Sequence, residues 1–293
     1  MKSGFVAILG RPNVGKSTLL NALLSKKVSI VTRRAQTTRD EISGILNEKD
    51  YQIVFVDTPG LFEGKEALDK YMGEQARDAA KDVDAILYLI DASVVDLTPD
   101  LKIIASLKAK SPLFVVLNKV DLCTLEEVVK RKEELAKALP GVPLIEASLL
   151  HNFGLKEIKE AVVPCLKGTT PYYPEGTLTD KDPAYQCKEV IRQELLHFLK
   201  QEVPHQCAVK IDSLKNVDKA YKIHATIITE KPNHKAIVIG KGGEMIKKIS
   251  MAARHELERM WQTHISELRI EVDCIPNWRN DPKVLKDLGY AGE

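Results

Sequence analysis

A glycine-bearing loop between an apolar run and a helical run constrains this chain more than any other feature. The loop has the sequence GRPNVGKS, from Gly10 to Ser17, and it follows the predicted strand Phe5 to Leu9 and precedes the predicted helix Thr18 to Leu24. G-x-x-x-x-G-K-S in that setting is typical of a phosphate-binding loop, whose N–H groups converge where the helix dipole is positive. A chance match in a glycine-rich turn is the alternative, and the flanking strand and helix argue against it.

The residue types of the loop predict how it holds a nucleotide. We expect Lys16 to contact the β- and γ-phosphates and the Ser17 hydroxyl to ligate Mg²⁺. The loop residues predicted to bind the nucleotide are Gly10, Asn13, Val14, Gly15, Lys16, Ser17 and Thr18.

Two later segments carry groups suited to Mg²⁺ and the γ-phosphate. Residues 31–40 lack apolar periodicity and predict a loop in which a threonine supplies a further metal ligand; Thr38 is preferred over Thr37, and an ordinary surface turn is the alternative. Asp57 ends the predicted strand Tyr51 to Val56 and opens the sequence DTPG. We expect Asp57 to hold Mg²⁺ through water and the Gly60 N–H to contact the γ-phosphate. The predicted metal ligands are Ser17, Thr38 and Asp57.

The sequence NKVD, from Asn118 to Asp121, follows the predicted strand Leu113 to Leu117 and predicts the base. The Asp121 carboxylate can accept hydrogen bonds from N1–H and N2–H₂ of guanine, whereas adenine would leave it desolvated and unpaired. Asn118 and the Lys119 stem are expected to connect the base to the phosphate loop. Ser148 and Leu149 follow the next strand, where the backbone can contact the base carbonyl.

The alternation of short apolar runs with helical patterns predicts an α/β fold with a mostly parallel sheet covered by helices on both faces. The motifs all fall at the carboxyl ends of strands, where such sheets bind ligands. Further strands are predicted at Ile42 to Leu46, Ala85 to Ile90 and Val142 to Ala147, and a helix at Glu126 to Leu139.

Composition narrows the class of protein. The 293 residues suggest two domains, and the net charge of +2 means that a nucleic-acid partner must be met by a local basic patch. The five cysteines are scattered without a C-x-x-C, which indicates reduced thiols and a cytoplasmic protein, and no zinc motif is present. The chain enters a predicted strand almost at once, so we expect no signal peptide. Its apolar runs are too short for a membrane span.

The second half begins after a proline-bearing linker, residues 167–183, and has the order helix, two strands, glycine loop, helix, strand. The loop Gly240-Lys241-Gly242-Gly243 resembles the G-x-x-G loop of KH domains, in this element order those of the second type, which hold about four nucleotides of single-stranded RNA. A KH fold used for protein contact is the alternative. The predicted RNA contacts are Gly240, Lys241, Gly242, Gly243, Lys247, Lys248, Trp278 and Arg279; Trp278 could instead pack the tail onto its domain.

These motifs together resemble the Era family of bacterial GTPases, a branch of the translation-factor-related GTPases. The wording GRPNVGKS with Gln36-Thr37-Thr38-Arg39 carries the likeness in the first half, and the glycine loop extends it over nearly the whole chain. One departure is Leu149, where the family usually has alanine. The resemblance implies a P-loop GTPase domain over residues 1–166, a linker, a type II KH domain over 184–275 and a tail over 276–293.

The resemblance also implies a function. It implies a Mg²⁺-dependent GTPase that binds 16S rRNA near its 3′ end, assists 30S assembly, acts as a monomer and associates peripherally with the inner membrane. Ras-type enzymes orient water with a glutamine where this chain has Leu61. The family instead uses K⁺ held by the residue equivalent to Asn13. The expected catalytic set is Asn13, Lys16, Thr38 and Gly60.

Two other functions remain open from the sequence. The protein could be an RNA-binding scaffold whose guanine nucleotide is structural and not turned over. It could also be a GTPase of tRNA modification or metal uptake, but those would need an additional helical or membrane-spanning domain.

Overall fold

The computed structural model describes residues 1–32, 37–61, 66–107 and 110–290. Contacts divide these residues into two compact units. The first unit comprises the described residues within 1–29, 38–61 and 72–180, and the second comprises the others. Gln36 and the residues directly after Leu61 lie outside the described ranges.

Six strands of the described chain form the sheet of the first unit, in the order β2-β3-β1-β4-β5-β6. Only β2 runs antiparallel to its neighbour, so the prediction of a mostly parallel sheet is confirmed. The central strands are almost wholly buried because helices cover both faces, which is why their sequences are apolar without alternation. The strands are β1 Lys2–Gly10, β2 Ile42–Asn47, β3 Tyr51–Asp57, β4 Ala85–Asp91, β5 Leu113–Asn118 and β6 Leu144–Glu146.

The helices of this part of the chain have local signals for their ends. Helix α1 begins at Lys16, within the phosphate loop, and α4 begins at a capping box in which Thr124 and Glu127 exchange hydrogen bonds. Helix α5 begins directly after Gly154, which has a left-handed backbone conformation. The bounds are α1 Lys16–Leu24, α2 Ala67–Asp78, α3 Thr98–Ser106, α4 Leu125–Ala138 and α5 Leu155–Val162. The sequence analysis predicts neither α2 nor α3, because polar residues interrupt the short apolar stripe of each helix.

The second unit has an α+β core. Its sheet has the order β7-β8-β9, with β7 and β8 antiparallel and β8 and β9 parallel. Helices α6 and α8 contribute to the apolar core through buried residues such as Ile191, Leu195 and Leu257. The elements are α6 Pro183–Phe198, β7 Cys207–Val217, β8 Ala220–Thr229, α7 Pro232–Ile239, α8 Glu244–Trp261, β9 His264–Cys274 and α9 Pro282–Asp287. The predicted order of helix, two strands, glycine loop, helix and strand is present, and α7 and α9 are additional elements that this order does not contain.

The proline-bearing segment packs on the first unit through hydrogen bonds. The Ser3 N–H donates to Gly168 O at 2.9 Å, and the Gly168 N–H donates to Ser3 O at 2.8 Å. The Tyr172 and Tyr173 N–H groups donate to Gln52 Oε1 at 2.7 and 3.0 Å. The segment up to Asp180 belongs to the first unit, and Asp182 caps the N-terminus of α6.

No helix in the described ranges is long and apolar enough to cross a membrane.

Candidate functional site

The phosphate loop curves around the ammonium group of its lysine. The Lys16 side chain is 6% exposed, and its Nζ donates to the backbone oxygens of Gly10 and Arg11 at 3.1 and 3.0 Å. Burial lowers the Lys16 pKa to about 8, although the nearby Asp57 carboxylate acts in the opposite direction. A buried cation held only by carbonyl groups is well placed to exchange them for phosphate oxygens.

Gly15 lies at the start of α1 where the loop approaches the guanine-type motif. Its φ is +108°, and a Cβ there would lie 2.4 Å from Nδ2 of Asn118. Both the left-handed backbone and the close approach therefore require glycine. Asn13 also has a left-handed φ, of 65°, and its side chain is exposed at the top of the loop.

Three oxygen-bearing side chains meet beside the loop, and they are the three predicted metal ligands. Ser17 Oγ lies 2.9 Å from Thr38 Oγ1 and donates to Asp57 Oδ2 at 2.7 Å. The other oxygen of Asp57, Oδ1, is buried and has no hydrogen-bond partner among the described residues. Burial raises the Asp57 pKa, and the Ser17 hydroxyl opposes that shift. Hydroxyl and carboxylate oxygens with one orphaned carboxylate atom fit a hard divalent cation such as Mg²⁺.

Ser29 is a further residue at this site, and sequence reasoning missed it. Its hydroxyl donates to Asp57 Oδ2 at 3.0 Å, and the residue is 1% exposed. Ser29 lies in a loop without apolar periodicity, 28 residues before its partner. No local sequence signal reveals such a contact.

The turn after Asp57 packs directly on the phosphate loop. The Thr58 hydroxyl donates to Ile8 O, and the Leu61 N–H donates to Gly10 O at 3.1 Å. A Cβ on Gly60 would lie 2.8 Å from Pro12, so this turn has no room for a side chain. Leu61 is 6% exposed and belongs to the apolar core. An apolar, buried side chain cannot orient a water molecule.

The base-recognition residues form a connected network at the ends of β5 and β6. Asn118 Nδ2 donates to Val14 O at 2.8 Å, and Asn118 Oδ1 accepts the Leu149 N–H at 3.1 Å. Asn118 thus joins the phosphate loop, the NKVD sequence and the loop after β6. The Ser148 hydroxyl donates to Asp121 Oδ1, which orients that carboxylate. Lys119 forms an ion pair with Asp91, the residue that ends β4. Because Asp91 ends a neighbouring strand, the sequence could have indicated this partner.

An ion pair between the partly exposed Arg11 and the buried Asp100 lies at the outer edge of the phosphate loop. Arg11 Nη1 lies 3.3 Å from Asp100 Oδ2, and the Tyr88 hydroxyl donates to Asp100 Oδ1 at 3.1 Å. Asp100 is 2% exposed, so its charge depends on these two partners, although burial raises its pKa.

We expect Arg11→Ala to reduce the free energy of unfolding by about 2–3 kcal/mol, because it leaves a buried carboxylate without its counter-ion. Tyr88→Phe removes only a neutral donor and should cost about 1 kcal/mol. Urea unfolding of the nucleotide-free protein measures both. If Arg11→Ala costs no more than Tyr88→Phe, the ion pair does not hold the loop.

In the second unit, the glycine loop presents open backbone and positive charge. Gly242 and Gly243 have φ of +60° and +82°, and a Cβ on either would meet no atom within 4 Å. Gly240 instead lies against Met245. Lys241, Lys247 and Lys248 are all exposed, and none of them forms an ion pair within the described part of the chain. This surface has room and charge for a phosphate backbone. The sequence predicts that Ile237, Ile239, Ile246 and Ile249 form the wall of a groove for bases beside this loop. That prediction is wrong for Ile249, which is fully buried in the core.

Trp278 and Arg279, the two tail residues predicted to contact RNA, both contact other residues of the protein. Trp278 is fully buried, and its indole N–H donates to Gln206 O at 3.0 Å. Arg279 Nη2 lies 2.8 Å from Glu230 Oε2. Packing was the alternative for Trp278 from the sequence, and any stacking on RNA would require it to leave this position.

The two remaining predicted residues of the nucleotide site differ in their surroundings. Thr37 Oγ1 lies 2.7 Å from Thr32 Oγ1, whereas Thr38 lies beside Ser17, which favours Thr38 as the metal-site threonine. Thr18 follows Ser17 in the first turn of α1 and is half-buried. The binding roles of both remain predictions.

Within the described residues, no group of three or more histidine, cysteine or acidic side chains is placed to hold another metal ion. None of the cysteines that the structure describes forms a disulfide bond.

Comparison with known proteins agrees with both halves of the chain. Residues 5–119 match the family model of the 50S ribosome-binding GTPase, and residues 202–275 match that of the KH domain. GTPase Era of Clostridium acetobutylicum is 42% identical over 290 residues, which cover 99% of this chain and 98% of the relative. GTPase Era of Clostridium botulinum is 43% identical with the same coverage.

Two solved structures are similar over the full length of both chains. A tyrosine-to-alanine variant of Aquifex aeolicus Era bound to GDP·AlF₄⁻ has a TM-score of 0.95 and 35% identity. An Era in complex with MgGDPNP and nucleotides 1506–1542 of 16S ribosomal RNA has a TM-score of 0.95 and 36% identity. On its sequence, its two folds and these relatives, the chain belongs to the Era family of GTPases.

Proposed function

We propose that this protein is a GTP-hydrolysing switch that binds 16S rRNA near its 3′ end and assists assembly of the 30S subunit. One observation carries the proposal: a complete guanine-type site and an open, basic G-x-x-G loop occur in a single chain. Its full-length similarity to an Era bound to MgGDPNP and 16S nucleotides supports the same pairing of ligands.

In this proposal each residue of the nucleotide site has a chemical task. Lys16 exchanges its carbonyl partners for phosphate oxygens, and Asp121 accepts the two guanine N–H groups. Ser17, Thr38 and Asp57 would hold Mg²⁺, which neutralises phosphate charge when bound. The Gly60 N–H donates toward the γ-phosphate. Phosphoryl transfer needs mainly positioning and charge stabilisation, and these groups supply both.

The attacking water must be oriented by something other than the residue after Gly60. Leu61 is buried and apolar, so slow intrinsic hydrolysis is expected. We propose that K⁺, held by Asn13 at the exposed top of the loop, stabilises the developing charge and accelerates the reaction.

Replacing K⁺ with Na⁺ at constant ionic strength should therefore lower kcat about tenfold or more, in line with the loss of one charge-stabilising group. Asn13→Ala should abolish the difference between the two ions. Multiple-turnover phosphate release measures the rates. Equal turnover in K⁺ and Na⁺ for the unaltered protein would remove Asn13 from this role.

The rival function is an RNA-binding scaffold with a structural nucleotide. Phosphate release over several turnovers, with and without RNA, distinguishes the two. A single turnover followed by a stable GDP complex, unaltered by RNA, would favour the scaffold. The GTPases of tRNA modification or metal uptake are disfavoured, because similarity to Era spans the full length of both chains.

The division of the chain completes the proposal. We assign nucleotide chemistry to residues 1–166, the connection between domains to 167–183, RNA binding to 184–275, and a supporting role to the tail, 276–293.

Nucleotide exchange acts through the segments near Thr38 and after Gly60, which the γ-phosphate would order. The described residues 66–71 group with the second unit by their contacts. The protein would act as a cytoplasmic monomer, with a fraction associated peripherally with the inner membrane.

A further inference from the structure

We propose that Asn21 and Ser29 are positioning residues for the Mg²⁺ site, because together they set the orientation of the Asp57 carboxylate. The inference rests on the proposed nucleotide function. It assigns a role to two side chains that would touch neither the nucleotide nor the metal.

The side chain of Asn21 holds the loop that follows α1 through both of its polar atoms. Its Oδ1 accepts the N–H groups of Val28 and Ser29 at 2.9 and 3.0 Å, and its Nδ2 donates to Ser29 O at 2.7 Å. Three hydrogen bonds from one side chain fix both sides of the Ser29 backbone. The direction of the Ser29 side chain is therefore determined by helix α1.

Ser29 in turn holds one oxygen of Asp57. Its hydroxyl donates to Asp57 Oδ2 at 3.0 Å, and the Ser17 hydroxyl donates to the same oxygen at 2.7 Å. With both donors on Oδ2, the carboxylate presents Oδ1 alone, and that atom is the buried one without a described partner. An oriented carboxylate with one oxygen reserved is what a metal ion, or its bound water, requires.

Ser29 differs from the other donor in an important respect. Ser17 and Thr38 are themselves expected to ligate Mg²⁺, so their hydroxyl groups change partners when the metal binds. Ser29 lies outside that set and can keep its hydrogen bond to Asp57 in both states. Asn21 lies one helical turn after Ser17 on α1, so the same rigid helix carries a metal ligand and the support of a second ligand.

The test is the affinity of the GDP-bound protein for Mg²⁺. We expect Ser29→Ala to raise the Kd for Mg²⁺ about tenfold, the lower end of the range seen when outer-shell partners of metal ligands are removed. Calorimetric titration of Mg²⁺ into GDP-loaded, EDTA-stripped protein measures it without any turnover. Ser29→Thr keeps the hydroxyl and should restore most of the affinity, and Asn21→Leu should resemble Ser29→Ala.

Ser3→Ala is the matched control. Ser3 is also a fully buried serine of the first unit, its hydroxyl donates to Thr170 O at 2.6 Å, and it lies at the end of β1 opposite the phosphate loop. Its removal should leave the Kd for Mg²⁺ within twofold of the unaltered protein. In EDTA, all variants should bind GDP with the same affinity as the unaltered protein in EDTA.

The outcomes separate the inference from the proposed function. Ser29 is not a positioning residue if Ser29→Ala binds Mg²⁺ as tightly as the unaltered protein. The same conclusion follows if the variant's GDP affinity in EDTA falls by as large a factor as its Mg²⁺ affinity. If the unaltered protein binds GDP with no dependence on Mg²⁺, the proposed nucleotide site itself is wrong.

Discussion

Asp121→Asn is expected to transfer the nucleotide preference of this protein from GTP to XTP. The Asp121 carboxylate, oriented by the Ser148 hydroxyl, can accept both guanine N–H groups. An asparagine offers an N–H group in place of one acceptor, so it opposes the guanine N2–H₂ group but complements the xanthine oxygen at the same position. A site that loses such a pair typically rejects its ligand by 10³-fold or more.

Competition between fluorescent GDP, GTP and XTP measures the change. We expect GTP affinity to fall roughly 10³-fold and XTP affinity to rise above that for GTP. Ser148→Ala is the matched control, because it removes the orienting hydroxyl and leaves both carboxylate oxygens; its effect on GTP should be about tenfold at most. An Asp121→Asn protein that still prefers GTP would show that the base is recognised elsewhere.

Gly242→Asp should have the second large effect, a loss of RNA affinity of about 100-fold, because one like charge placed against a phosphate costs several kcal/mol when desolvated. Gly242 has φ +60° and open space around its missing Cβ, so an RNA backbone can approach there. Aspartate tolerates a left-handed backbone better than most residues, and it places a negative charge between Lys241 and the start of α8.

The matched control is Gly176→Asp, in the first unit. Gly176 also has a positive φ, of +84°, and open space around it, so it carries the same backbone strain and the same added charge. Filter binding to an RNA of the 16S 3′ region should separate the variants, while GDP affinity stays equal. If both variants bind RNA as the unaltered protein does, the glycine loop is not the RNA contact.

The sequence could predict which motif residues lie together, because the residues of each motif are close in sequence. A glycine must occur where φ is +108°, a lysine and a serine must follow it, and a carboxylate must end a neighbouring strand. Each of these residues is constrained by its own short motif. The metal-site oxygens of Ser17, Thr38 and Asp57 accordingly lie within hydrogen-bond distance, as the motifs implied.

Other features depend on contacts that no local pattern records. Trp278 packs in a fully buried position because Gln206, 72 residues away, offers a carbonyl group to its indole N–H. Ile249 lies close to the glycine loop in sequence, three residues after Ile246, yet the helical phase of α8 directs it into the core. Helix α6 begins at Pro183, inside the segment predicted as a linker, although Asp182 followed by Pro183 is a helix-start signal that the sequence contains.

The most direct measurement of the central claim is RNA affinity in two nucleotide states of the same protein. A short RNA of the 16S 3′ region should bind the protein loaded with a non-hydrolysable GTP analogue at least tenfold more tightly than the GDP-loaded protein, as expected for a coupling free energy of 1–3 kcal/mol. Identical affinities in the two states would show that the guanine site and the glycine loop are not coupled, and would contradict the account.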